Sequence, residues 1–256
     1  MVVPCFNEGS RLNIPYFRKL SKIDMTQWVF INDGSKDDTE ILLKKLSKLD
    51  NVDVITLSSN SGKSQAITSG LHFAFNSYVN IGFFGFLDAD AAFSVYDVEN
   101  MINTSQNLNR YDAFYSSRVK LAGRDIRRSN KRHILARIIT SIFGFFWADI
   151  PYDTQSGLKI FRNSSFIRRV FSEKFKTRWF VDIEISTRYT KIMGRGLKIW
   201  EVPVRSWRDV PGSKIGFYES LRVSKEIIYI LKTLIQQENY RVKSTHQNND
   251  LNRNSR

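Results

Sequence analysis

The sequence predicts an α/β fold in which a mostly parallel, mixed sheet is flanked by helices. Residues 1–116 alternate short apolar runs with helical patterns, the order expected of βαβ units. Three of those runs end, in succession, in polar or acidic turns: Asn7-Glu8, Asn32-Asp33 and Asp88-Ala89-Asp90. In an open α/β sheet the carboxyl ends of the strands form the edge where ligands bind. The acidic turns therefore belong to one prospective site.

Strands are predicted at residues 1–3, 28–31, 52–56, 83–87 and 113–116, with helices over about 11–20, 37–49, 63–76 and 95–108. Ser94 precedes the last helix as its N-cap. The second half opens with a basic segment, residues 118–137, and continues through an apolar aromatic helix ending near Trp147 to a strand at 157–161. A helix at 182–192, a strand at 197–204 and a long helix at 217–237 follow. Residues 1–236 thus read as one domain, with a ligand-binding half to residue 116 and a second half from 117. Residues 237–256 are rich in Asn, Ser, Gln and Arg, lack apolar periodicity and read as a disordered tail.

Composition narrows the function. The 256 residues carry 39 Lys and Arg against 25 Asp and Glu, a formal charge of +14, which suits an anionic partner or simply a solvated basic surface. The single Cys5 excludes an internal disulfide framework and fits a reducing compartment. With only three histidines, scattered at 72, 133 and 246, the residue types for a zinc site are lacking. No stretch reaches the roughly 18 apolar residues of a membrane span, and with three residues before Pro4 the expectation is no signal peptide ahead of the first motif.

The chemistry centres on Asp88 and Asp90. Residues 81–87, Ile-Gly-Phe-Phe-Gly-Phe-Leu, are apolar enough for a strand buried on both faces, so the two carboxylates emerge together at its end. Oxygen ligands at that spacing can share Mg²⁺ or Mn²⁺, and such a cation grips a diphosphate. About one such spacing is expected by chance in a chain of this kind, so its place after two similar strand ends is what gives it weight. Asp33, followed by Gly34-Ser35, suits an exposed acceptor for a nucleobase imide or a ribose hydroxyl, whereas Ser35 and Asp37 read better as helix caps. Gly62-Lys63 opens a helix that can meet an anion, but the upstream glycine of a P-loop is missing.

Together, Pro4-Cys5-Phe6-Asn7-Glu8, Asn32-Asp33-Gly34-Ser35, Asn60-Ser61-Gly62-Lys63 and Asp88-Ala89-Asp90 resemble the successive motifs of family-2 glycosyltransferases. Ser116-Ser117-Arg118, Arg128-Ser129, the run 153–159, the run 180–184 and Glu201-Val202-Pro203-Val204 are similar to the polyprenyl-phosphate branch, the dolichyl-phosphate glucosyl- and mannosyltransferases and their bacterial relatives. The similarity covers about residues 1–235.

The resemblance implies the nucleotide-diphospho-sugar transferase (GT-A type) fold and an inverting transfer of a hexose. The donor is a nucleoside-diphosphate sugar, UDP rather than GDP, and the acceptor a polyprenyl phosphate. It implies Pro4, Asn7, Glu8, Asp33 and Lys63 at the nucleotide, Asp88 shared between nucleotide and metal, and Asp90 on the metal. Arg118, Arg128 and Arg132 fall where the branch places its phosphate-binding arginines, and the loop of Asp153 falls where the branch faces the donor site. The chain departs from the mannosyltransferases at Ala92, where those often carry a metal-completing Gln, which turns the expectation toward glucose.

A transfer to a hydroxyl needs a general base, for which Asp153 or Asp182 is available. A phosphate monoester is already ionised at neutral pH and needs none. Asp153 then orients the sugar or an arginine, while Asp182 and Glu184 equally suit the start of a helix.

Clustered arginines after the fifth strand suit phosphate through paired hydrogen bonds, or form a solvated helix face. Nucleic acid fits poorly, because Phe143, Phe145, Phe146 and Trp147 form one apolar block rather than alternating with the basic residues. That block beside a basic run suits a helix lying in an anionic membrane surface, or one packed on the sheet. The expectation is a peripheral enzyme on the cytoplasmic face of a membrane, with its oligomeric state open. The runner-up acceptor is a hydroxyl of a glycan or cell-wall polymer.

Overall fold

The computed structural model describes residues 1–127, 141, 151–178, 180–208 and 225–235. Arg128, Arg132, most of the aromatic block at 134–147 and the tail at 237–256 lie outside the described residues.

The first half is built from β1 (Val2–Cys5), α1 (Ile14–Leu20), β2 (Trp28–Asn32), α2 (Thr39–Leu46), β3 (Val52–Thr56), α3 (Lys63–Ser77), β4 (Phe83–Leu87), α4 (Val95–Asn107) and β5 (Ala113–Ser117). Then come β6 (Asp125–Arg127), β7 (Leu158–Arg162), α5 (Ser165–Val170), α6 (Val181–Met193), β8 (Ile199–Pro203) and β9 (Ser206–Arg208). Residues 225–235 are helical.

One seven-stranded sheet runs in the order β3-β2-β1-β4-β7-β5-β8. The pairs among β3, β2, β1 and β4 are parallel, as is β5 with β8, while β7 runs antiparallel to both β4 and β5. A second, two-stranded sheet pairs β6 with β9. Because β7 enters from the second half between β4 and β5, the main sheet is continuous across the two halves of the chain.

Strand periodicity sorts the core into two layers. Val3, Phe30, Phe114 and Ile160 face a cluster with Phe17, Leu20, Leu43, Leu46, Val98 and Met101 of α1, α2 and α4. Their neighbours Val2, Val29, Ile31, Ala113, Tyr115 and Phe161 face Ala66, Ile67, Leu71, Ile167, Val170 and Ile185 of α3, α5 and α6. Helices on both faces explain why these strands read as continuous apolar runs.

Helix boundaries follow local chemistry. Helix α1 starts at Ile14 rather than near residue 11, because Asn13 caps it by accepting from Tyr16 N–H and Pro15 suits its first turn. Ser94 caps α4 as predicted, its side chain accepting from Asp97 N–H. Among the described residues no helix is long and apolar enough to cross a membrane.

Candidate active site

The loops after β1, β2 and β3 are tied into one rim by side chains. Asn7, at φ 50, donates its N–H to Ser35 Oγ at 3.0 Å and accepts Lys36 N–H on Oδ1 at 2.9 Å. Asn tolerates this left-handed backbone better than most residues. Pro4 lies within β1 opposite Ile31. The Glu8 carboxylate is buried against Arg11, with two hydrogen bonds of 2.6 and 2.8 Å, while Glu8 N–H reaches Thr39 Oγ1 at 2.7 Å. Asp37 accepts from Gly9 N–H and from Thr39, so it joins two loops as well as serving the start of α2.

Asp33 is buried rather than the exposed acceptor expected from the sequence, because its two oxygens accept Ser61 N–H at 2.7 Å and Gly62 N–H at 2.8 Å. It thereby fixes the turn that delivers Lys63 as the first residue of α3. Gly62, at φ +91, has the Arg178 guanidinium where a Cβ would stand, and Arg178 Nη2 donates to Asn60 Oδ1 at 2.7 Å.

At the end of β4, Asp88 and Asp90 come out together as predicted. Lys63 Nζ lies 2.5 Å from Asp88 Oδ1. Crowding in the site disfavours the Lys63 charge, but Asp88, Asp182 and Asp90 outweigh it and hold the ammonium above its usual pKa. Asp90 is pushed up to about 6, first by burial and then by the Asp88 charge, against the opposing pull of Ala92 N–H, Arg11 and Lys63. Two adjacent carboxylates that resist joint ionisation form a set of hard oxygens short of positive charge, and a divalent cation fits that deficit. Among the described residues no cluster of three or more His, Cys, Asp or Glu comes together, so diphosphate oxygens and water would complete the shell of such a cation.

Gly157 shapes the same place. Its carbonyl accepts Asp88 N–H at 2.9 Å, and a Cβ on it would collide with the Asp88 carboxylate.

Asp153 lies one loop away, buried, with Arg118 Nε at 2.6 Å, Arg118 Nη2 at 2.7 Å and Arg118 N–H at 3.0 Å. The Arg118 guanidinium also lies 4.9 Å from the Trp207 ring centre. The turn bearing Asp153 is held in place by Glu201, which accepts Tyr152 N–H at 2.8 Å and Asp153 N–H at 3.0 Å.

Sequence reasoning assigned no role to Lys159, Glu201, Arg11 or Arg178. Lys159 is fully buried in β7, 2.8 Å from Asp182, and burial lowers its pKa against the pull of that carboxylate. A lysine inside the apolar run 158–161 breaks the strand pattern, and that breach was the available signal. For Arg178, which meets Asn60 from 118 residues away, the sequence offered none.

The carboxyl edge of a mostly parallel sheet, with an acidic pair after β4 and a turn after β3 anchored by Asp33, defines a nucleotide-diphospho-sugar transferase of the GT-A type. The family model "Glycosyl transferase family 2" matches residues 1–171, and the chain belongs to that family. Human dolichyl-phosphate beta-glucosyltransferase is 30% identical over 250 residues, covering 90% of this chain and 74% of that protein. A dolichyl-phosphate beta-glucosyltransferase of Trichomonas vaginalis is 27% identical, covering 90% and 72%. In fold, the chain matches glucosyl-3-phosphoglycerate synthase of Mycobacterium tuberculosis, solved with Mn²⁺, UDP-glucose and glycerol 3-phosphate. The TM-score is 0.63 at 17% identity, covering 91% of this chain and 78% of that one.

Proposed function

We propose that this glycosyltransferase moves a hexose, glucose in first place, from a UDP-sugar to a polyprenyl phosphate at an anionic membrane surface on its cytoplasmic side. The observation that carries the acceptor assignment is the state of the two candidate bases. Asp153 is bound to Arg118 and Asp182 to Lys159. Carboxylates paired this closely with buried cations are poorly suited to remove a proton, and an acceptor that arrives as a phosphate dianion needs no base. The names of the similar eukaryotic enzymes point to the same acceptor and sugar.

In this reading Asn7 and Glu8 build the loop beside the nucleobase, and Asp33 holds the 61–62 turn against it. Pro4 forms the floor, and Lys63 neutralises diphosphate charge. Asp88 and Asp90 would hold Mn²⁺ or Mg²⁺, which would supply positive charge against the nucleoside diphosphate as it departs. The phosphate oxygen attacks the anomeric carbon from the face opposite the breaking C–O bond, so configuration inverts. Arg118, oriented by Asp153, presents guanidinium N–H groups to the acceptor phosphate. Arg128 and Arg132 are assigned to the same phosphate by their motif.

Purified protein, Mn²⁺ and a panel of nucleotide sugars, with and without a short polyprenyl phosphate, test this reading through release of nucleoside diphosphate. UDP-glucose with the lipid phosphate should give turnover. Lipid-independent transfer to a saccharide hydroxyl, lost in Asp182→Asn, would replace the acceptor assignment.

A further inference from the structure

Lys63 and Asp88 form an ion pair at the mouth of the site rather than beneath it. Their side chains remain 39% and 35% exposed, although the nitrogen–oxygen separation is 2.5 Å. The ammonium therefore stands beside one of the two carboxylates that a metal would use. We infer that Lys63 is the resident counter-ion of Asp88 in the donor-free protein, that it competes with the divalent cation, and that metal and nucleotide consequently bind as a coupled pair. This rests on the metal and nucleotide roles proposed above.

The charges give the reason. Asp88, Asp90 and Asp182 all act on Lys63, and Asp182 is already matched by the buried Lys159. With Lys63 on Asp88, a lone metal ion meets a half-neutralised acidic pair and a positive neighbour a few ångströms away. A diphosphate changes the balance, because its oxygens supply a second anionic partner. Lys63 can then leave Asp88 for the diphosphate while staying in the field of Asp182, and Asp88 turns wholly to the metal. Position suits this transfer, since Lys63 opens α3, whose N-terminal N–H groups favour an anion nearby. Linkage requires that each ligand strengthen the other by the same factor.

The test is Mn²⁺ binding by the full chain, read from the electron paramagnetic resonance of free Mn²⁺, with and without UDP. Wild type should bind Mn²⁺ weakly alone and about tenfold more tightly with UDP, within the usual range of coupling between sites. In Lys63→Met, Mn²⁺ alone should bind about tenfold more tightly than to wild type, and the further enhancement by UDP should be smaller than in wild type, leaving only what the diphosphate oxygens contribute as ligands. Lys63→Arg keeps the competing charge and should behave as wild type, which a merely structural role for the side chain would not predict. If Lys63→Met binds Mn²⁺ alone no better than wild type while UDP still enhances binding, the competition is overturned and the site assignment stands. If wild type binds neither Mn²⁺ nor UDP, the site assignment and the competition fall together.

Discussion

Arg118 and Asp153 meet along both edges, with Nε 2.6 Å from Oδ2 and Nη2 2.7 Å from Oδ1, although 35 residues separate them. Only 11% of the arginine side chain and 2% of the aspartate remain exposed. Removing one charge from such a pair leaves the other buried without its partner. Asp153→Asn should therefore lose about 3 kcal/mol of stability in urea unfolding. Its kcat/KM for the lipid phosphate should fall by about a hundredfold through misplacement of Arg118, with donor affinity nearly unchanged. If Asp153 were instead the base, the acid limb of the pH–rate profile would vanish in the variant.

Gly157→Ala tests the support of the proposed metal site. The added methyl would stand where the Asp88 carboxylate now lies, so that carboxylate must move. Activity should fall by more than about tenfold, and the Mn²⁺ concentration for half-maximal rate should rise. Circular dichroism should show the same secondary structure. Wild-type turnover in this variant would mean that the Asp88 geometry is not needed.

How much of this was legible in sequence depends on range. Strands β3 and β4 lie where their apolar runs put them, and Ser94 caps α4, because strand pattern and capping are local. Strands β6 and β9 have three residues each and carry no readable period. The turn into β9 is fixed from afar, by Asp97 accepting the N–H of Arg205, 108 residues away, at 2.7 Å. The antiparallel insertion of β7 is likewise a tertiary outcome. In the site, carboxylates announce themselves as strand ends, but their cations do not. Nothing local joins Lys63 to Asp88, Arg118 to Asp153 or Lys159 to Asp182.

Gly62 and Arg178 share one space, so substitutions at the two should differ in kind. Gly62→Ala meets both a left-handed backbone and the guanidinium, and should cost about 1–2 kcal/mol in stability. Arg178→Ala removes the bond to Asn60 and frees the 60–62 turn, while the Arg178 N–H remains on Glu226 Oε1 at 3.0 Å. It should weaken UDP binding several-fold in calorimetry and change stability by less than about 1 kcal/mol. Equal UDP affinity in wild type and Arg178→Ala would remove this residue from the support of the turn.

Lys159 and Asp182 make a buried pair whose sign with pH can be worked out. Burial lowers the Lys159 pKa below the 10.5 of a free lysine, even though Asp182 pulls the other way. The native state then binds fewer protons than the unfolded chain between that lowered value and 10.5, so the contribution of Lys159 to stability rises with pH across this window. Lys63 is shifted upward, and its contribution stays constant until pH passes the value of a free lysine. Lys159→Met should lose about 3–5 kcal/mol at pH 7, because Asp182 is left in a buried place without its partner. The double variant Lys159→Met with Asp182→Leu should recover most of that loss, since an apolar pair of similar volume often replaces a buried ion pair at little cost. Both variants should lack the alkaline gain expected of wild type when urea unfolding is repeated from pH 7 to pH 10. A gain that persists without Lys159 would assign the slope to another group.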